Sequence, residues 1–183
     1  MTAIIEARGL TKRYGRGKTA VAGVDFTVAP GRIVGLIGRN GAGKTTVIKS
    51  VLGLTPYEGE LSVLGRDPSR QRNELMREVS FIADVAVLPK WLRVKDALAY
   101  VEGVHPAFNR ERAEAFLAST DVKLKHKVKE LSKGMVTQLH LSLVMAIRAR
   151  LLVLDEPTLG LDLLMRRRFY DTLVNDYMDE ERT

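Results

Sequence analysis

The sequence predicts an α/β protein with a mostly parallel sheet, a small antiparallel β lobe at the N-terminal end and a helical lobe inserted between strands. Three observations predict it. A glycine-rich loop, Gly38-Arg39-Asn40-Gly41-Ala42-Gly43-Lys44-Thr45, lies between an apolar run of strand length at 33–37 and a helix-like run at 45–52 that Gly53 ends. Leu151-Leu152-Val153-Leu154 is a continuous apolar run, as in strands covered on both faces. Between the two, residues 94–150 carry helical spacing rather than alternation.

At the N-terminal end, residues 4–7 and 24–28 alternate like half-buried strands. Leu10-Thr11-Lys12-Arg13-Tyr14-Gly15 between them reads as a turn, and Pro30-Gly31 as a tight turn into the run at 33–37. Residues 59–65 read as a short strand between glycines, and Val79-Ser80-Phe81-Ile82-Ala83 as another that ends on Asp84. In the helical region Ala97, Leu98 and Val101 share a face, and Asn109 caps a helix from Arg110 to Ala118. The basic-apolar alternation of residues 123–129 predicts a short solvated element with Leu124 and Val128 turned inward. Ser132 caps the next helix, whose buried stripe is Val136, Leu139, Leu143 and Ile147. Phe169, Leu173 and Tyr177 mark a last amphipathic helix.

Composition narrows the function classes. At 183 residues the chain can bury a real core. It has no cysteine, which excludes disulfides and cysteine-ligated metal. No run of about 18 apolar residues is present, so no transmembrane helix is expected. The first residues lack the basic and apolar regions of a signal peptide. A net charge of +7 favours an anionic partner, whether nucleotide, nucleic acid or acidic lipid surface, without choosing among them.

The glycine loop makes the choice. It fits G-x-x-x-x-G-K-[ST] residue for residue, and strand, loop and helix is the context that motif needs. The pattern predicts a P-loop NTPase core. Gly38, Gly41 and Gly43 permit positive φ, so backbone N–H groups can turn inward around an anion. The helix start at Gly43 and Lys44 adds N–H donors and the positive end of the helix dipole. The motif assigns Lys44 to the β- and γ-phosphates of a nucleotide, and the Thr45 hydroxyl to Mg2+, with Thr46 placed for an α-phosphate contact. Asp155 and Glu156, delivered by the apolar run, suit metal and water chemistry beside it. Pro157 keeps that strand from simply continuing. Tyr14 has two readings, a ring stacked on a base or a packing tyrosine of the β lobe.

The order of these motifs is specific. Tyr14, the loop from Gly38 to Thr45, Leu131-Ser132-Lys133-Gly134-Met135, the run from Leu151 to Glu156, and Leu161-Asp162 together resemble the ATP-binding-cassette (ABC) transporter ATPases, of the exporter-like kind. The resemblance covers nearly the whole chain. Its most discriminating part is the serine-glycine motif about 20 residues before the Asp-Glu strand. It implies that Tyr14 stacks on adenine, that Gly38, Arg39, Asn40, Gly41, Ala42, Gly43, Lys44, Thr45 and Thr46 cradle the phosphates, and that Lys44 and Glu156 are catalytic, Glu156 polarising the attacking water. It implies Mg2+ held by Thr45, Asp84 and Asp155. Ser132 and Gly134 would bind the γ-phosphate of ATP on a partner subunit, and Asp162 would cross the dimer interface.

The family implies three further things: a homodimer or heterodimer with another ABC subunit, a separate transmembrane permease with no direct nucleic acid, and a cytoplasmic place at the inner face of the membrane. The whole of 1–183 would be one ABC ATPase domain. Residues 1–84 would hold the β lobe and phosphate loop, 85–150 the helical lobe, and 151–183 the Asp-Glu strand and following helix. Two other readings accompany this one: a soluble ABC ATPase acting on nucleic acid or ribosomes, and a shortened cassette that binds nucleotide without efficient hydrolysis.

The sequence departs from the family in three places. Lys133 and Met135 stand where the signature usually has glycine and glutamine. Asp84 stands at the position of a Mg2+-contacting glutamine. The family's switch histidine lies roughly 30 residues past the Asp-Glu pair, so the chain is expected to be truncated before it and to lack the C-terminal strand, exposing apolar surface near Val153 and Phe169. The apolar segment 85–92 with Trp91 either packs in the helical lobe or docks on the membrane subunit.

Overall fold

The computed structural model describes residues 3–82, 88–158 and 161–178. Two compact units divide the chain, Met1–Met76 and Arg77–Arg182.

The first unit is built on a three-stranded antiparallel sheet in the order β2-β1-β3: β1 Ile5–Tyr14, β2 Lys18–Val28 and β3 Glu58–Val63. Residues 10–14, expected as a turn, continue β1, and the turn is the single 3-10 turn Gly15–Gly17. The strand outlasts its alternation because register shifts between Ala7 and Leu10, and again to Lys12 and Arg13, absorb the phase errors. Gly59 lets β3 lie close on β1: at φ 93, a Cβ there would meet the Gly9 carbonyl oxygen at 2.5 Å.

Helix α1, Lys44–Val51, buries Ile48, Ser50 and Val51. It ends as the sequence predicts. Gly53 takes φ +63, its N–H reaches the Ser50 carbonyl (3.0 Å), and the Leu54 N–H reaches that of Lys49 (2.8 Å). That paired closure satisfies carbonyls the helix leaves open. Short helix α2, Arg72–Leu75, follows β3.

The run at 33–37 is a correction. It forms no strand, and Ile37 is 99% exposed. Periodicity records what a segment can bury, whereas a strand also needs a neighbouring backbone to pair with, and among the described residues none pairs with this run.

The second unit joins a two-stranded parallel pair to a helical lobe. β4, Val79–Ile82, and β5, Leu151–Leu154, run in register from Val79 opposite Leu151 to Ile82 opposite Leu154. The lobe comprises α3 Val94–Val104, α4 Arg110–Ala118 and α5 Lys133–Met145. Asn109 caps α4 as expected, its side-chain oxygen accepting from the Arg112 N–H at 2.8 Å.

Helix α5 is more buried than its expected stripe. Leu139, Leu143 and Ala146 join Val94, Leu98, Ala113 and Leu117 in the core of the lobe. Leu141 and Met145 face the other way, into a core with Ile82, Leu161 and Phe169. One helix therefore serves two cores. Phe169 lies on α6, Leu163–Met178, and is itself covered at 2% exposure, while apolar surface of the expected kind is exposed near it at Leu164, Tyr170 and Val174. Leu173 packs on the same core, and the side chain of Tyr177 lies outside the described ones.

Residues 123–129 also differ from expectation. Val128 is buried, but Leu124 is 38% exposed. Its backbone carbonyl accepts from Lys95, which fixes the segment without turning the side chain in. Trp91 is 73% exposed, so it does not pack inside the lobe, whereas Leu88 and Leu92 do. Residues 85–87 lie outside the described ones.

Candidate functional site

The glycine loop is held by its own backbone and by Lys44. The Ala42 N–H closes a turn on the Arg39 carbonyl (3.0 Å). Gly41 (φ 86) and Gly43 (φ 92) occupy the left-handed region. Gly38 does not, which corrects the expectation for it; its requirement is space, since a Cβ there would meet the Ala42 Cβ at 3.2 Å. Gly43 is the N-cap of α1, and the Val47 N–H returns to its carbonyl (2.9 Å). The loop thus leads directly into the positive end of α1.

Lys44 Nζ donates to the carbonyls of Gly38 (2.8 Å) and Arg39 (3.4 Å), so its ammonium sits over the loop it serves. Thr45 and Thr46 stand on the first turn of α1, where the Thr46 carbonyl accepts from the buried Ser50 hydroxyl at 3.0 Å. Arg39 and Asn40 are exposed at the loop's tip. In the same unit, Tyr14 ends β1 with its ring partly exposed and the Lys12 ammonium 5.0 Å from the ring centroid, a cation–π contact.

In the second unit, β5 delivers Asp155. Its N–H extends the parallel ladder to the Ile82 carbonyl (2.9 Å), and the residue is 6% exposed. Glu156 is exposed and takes φ 48. Left-handed backbone costs a non-glycine residue about 1–2 kcal/mol, and such strain gathers at functional positions. Nothing in the sequence named this strain beyond Pro157, which disfavours helical backbone in the residue before it.

Ser132 caps α5 as expected, its hydroxyl accepting from the Met135 N–H at 3.3 Å, with Gly134 one residue into the first turn after Lys133. Asp162 also proves to be a cap: its carboxylate accepts from the Met165 N–H at 2.8 Å at the start of α6. The sequence signal was present, an aspartate before a helical run, but the motif reading absorbed it. Farther along α5, burial pushes His140 down to about 4, and its Nε2 is buried with no hydrogen-bond partner among the described residues. Asp84 lies outside the described residues. Among those described, no three histidine, aspartate or glutamate side chains gather as a metal-binding group. None of the described helices is long and apolar enough to cross a membrane.

Known proteins match this arrangement. Residues 21–159 match the family described as ABC transporter. The chain belongs to the ABC transporter family. It is 36% identical over 180 residues to the Nod factor export ATP-binding protein I of Rhizobium meliloti, covering 94% of this chain and 53% of the relative. It is 35% identical over 170 residues to the bacitracin transport ATP-binding protein BcrA of Bacillus licheniformis, covering 88% and 54%. The chain therefore spans about half the length of the curated relatives it matches.

Among solved structures, the ATP-binding subunit of an ABC transporter aligns with TM-score 0.85 and 26% identity over 95% of this chain and 75% of that one. A bacterial Atm1-family ABC exporter with ATP bound shares the fold, with TM-score 0.83 and 19% identity over 94% of this chain and 32% of that one. The ABC fold thus accounts for the antiparallel lobe, the glycine loop, the helical lobe and the parallel Asp-Glu strand together.

Proposed function

We propose that this ABC chain binds ATP with Mg2+ and hydrolyses it to drive transport, working at the inner face of the membrane as a dimer with a second ABC subunit and beside a separate permease. The observation that carries the reading is the loop itself: left-handed Gly41 and Gly43, the start of α1, and the Lys44 ammonium held over the loop carbonyls. Lys44 exchanges those carbonyls for the β- and γ-phosphates, and the amides at the start of α1 face the same anion. Tyr14 offers its ring to the adenine.

The oxygen donors Thr45, Asp155 and Asp84 suit a hard cation such as Mg2+, which neutralises phosphate charge when bound. Glu156, exposed at the end of β5, orients the attacking water. Ser132 and Gly134 open a helix whose N-terminus receives the γ-phosphate of ATP on the partner subunit. Asp162 faces the dimer contact from the cap of α6.

The test is thermal unfolding with and without ATP and Mg2+. A ligand bound only by the folded state at about 100 times its Kd stabilises it by roughly 2.7 kcal/mol. Lys44→Ala is expected to remove most of that shift, and an unchanged shift would refute the loop assignment. Glu156→Gln is expected to keep the shift and stop phosphate release. Turnover at the unsubstituted rate would remove Glu156 from the mechanism.

A further inference from the structure

The aromatic ring assigned to the base has a companion that the motif does not name. Lys12 and Tyr14 alternate on β1, so their side chains share one face of the strand. Lys12 is 9% exposed, a depth that lysine rarely reaches without a carboxylate beside it. Among the described residues its ammonium has no ion pair. What it has is the Tyr14 ring, over which it sits 5.0 Å from the centroid. Arg13, between the two, lies on the opposite face of the strand, and its guanidinium pairs with Glu58 of β3. Of the two cations at this end of β1, one is engaged by a carboxylate and the other is held against an aromatic face.

The strand pairing carries this couple to the phosphate loop. Lys12 is opposite Val21 of β2 while Arg13 is opposite Thr19, which leaves Ala20 as the extra residue of a bulge. The Ala20 carbonyl oxygen and the Val21 side chain are what a Cβ on Gly43 would meet, at 2.4 and 3.2 Å. One strand therefore separates Lys12 from the N-cap of α1, within the same unit.

We propose that Lys12 is a positioning residue for the base of the bound nucleotide: its ammonium holds one face of the Tyr14 ring and leaves the other face to the purine. A tyrosine that is 43% exposed at a strand end is free to swing about its side-chain torsions, whereas a stack needs the ring held parallel to its partner. The negative face of the ring attracts the cation, and the burial of the lysine stem fixes where that cation stands. The charge also draws the ring's electron density toward itself, so the far face repels an electron-rich purine less. A lysine that served the phosphates directly would stand over the loop, as Lys44 does. The inference rests on the reading of Tyr14 as the base-stacking residue, and adds what makes that ring fit to stack.

The test is titration calorimetry of the full chain with ATP and with inorganic tripolyphosphate, both with Mg2+. Lys12→Gln is expected to weaken ATP binding about fivefold, the worth of one cation–π contact. It is expected to leave tripolyphosphate binding unchanged, because that ligand has no base to stack. Retained tripolyphosphate binding also shows that the variant is folded; where it is lost, Lys12→Met, which keeps the length of the stem, carries the same expectation. Lys12→Arg keeps a cation over the ring and is expected to keep most of the ATP affinity. Tyr14→Ala is expected to weaken ATP binding by itself, and adding Lys12→Gln to it is expected to change nothing further. Equal losses for ATP and tripolyphosphate in both uncharged variants would overturn the proposal, since Lys12 would then serve the phosphates or the fold. So would an arginine variant as weak as the glutamine one, or losses at Lys12 and Tyr14 that simply add. An ATP affinity lowered by Tyr14→Ala but untouched by Lys12→Gln would remove Lys12 and keep the stacking ring. An ATP affinity untouched by Tyr14→Ala would remove the stacking reading, and the role of Lys12 with it.

Discussion

The loop of the first unit and the Asp-Glu end of β5 in the second are built on opposite plans. The loop is made of backbone: its shape depends on Gly41 and Gly43 in the left-handed region and on a lysine bonded to the loop's own carbonyls. The second unit instead offers side chains at the tips of buried elements, with Asp155 covered at the close of a parallel ladder and Ser132, elsewhere in the unit, capping a helix fixed in two cores. The difference teaches where each half is vulnerable. A methyl group can destroy the first without touching a charge. In the second, an isosteric change is expected to remove the proposed chemistry and leave the fold.

The sharpest way to break that contrast is at Gly43. Gly43→Ala would place a Cβ 2.4 Å from the Ala20 carbonyl oxygen at φ +92, combining a clash with backbone strain. The expected loss is about 3 kcal/mol, against about 1 kcal/mol for Gly41→Ala, whose added Cβ meets open space. Chemical denaturation measures both. Equal losses would mean that dihedral strain alone shapes the loop.

Next in size is His140, in the helix that serves the second half. Burial holds its folded-state value near 4, below the ordinary 6.5. Above 6.5 neither state is protonated and the histidine has no effect on stability. Between 6.5 and 4 the unfolded chain takes up a proton that the folded one refuses, so stability falls as the pH falls. At pH 5 the loss is roughly 2 kcal/mol. His140→Gln is expected to flatten this part of the stability profile between pH 7 and pH 5. A profile with the same slope would place the pH sensitivity elsewhere.

The smallest effect sharpens the comparison most. Ser132→Ala and Asn109→Ala each remove one cap hydrogen bond, and each is expected to cost about 1 kcal/mol. Only the first should also lower ATP turnover, because only Ser132 opens the helix assigned to the γ-phosphate. Equal turnover in the two variants would reduce Ser132 to a structural cap.

Much of this was legible in the sequence where the signal is local. The caps at Asn109 and Ser132 and the closure at Gly53 each involve residues within a turn of one another, and all three are found. The glycine motif has the same character. What was not legible depends on partners elsewhere. Residues 33–37 have the composition of a strand but no ladder neighbour among the described residues, and the chain beyond Ala7 stays in β1 because β2 and β3 flank it despite broken alternation. The helical period showed one face of α5, yet the second buried face becomes apparent only once β4 and α6 supply its core. Glu156's left-handed backbone is a conformational fact that residue identity alone does not specify, whereas the Asp162 cap was legible as an aspartate before a helical run.

That double burial of α5 has a mechanical meaning. Thirteen residues make a rod about 20 Å long, gripped along its length on two sides. Such a rod cannot tilt within one core without straining the other. A displacement imposed at its Ser132 tip must therefore move the helix as a rigid lever and be felt by both cores at once.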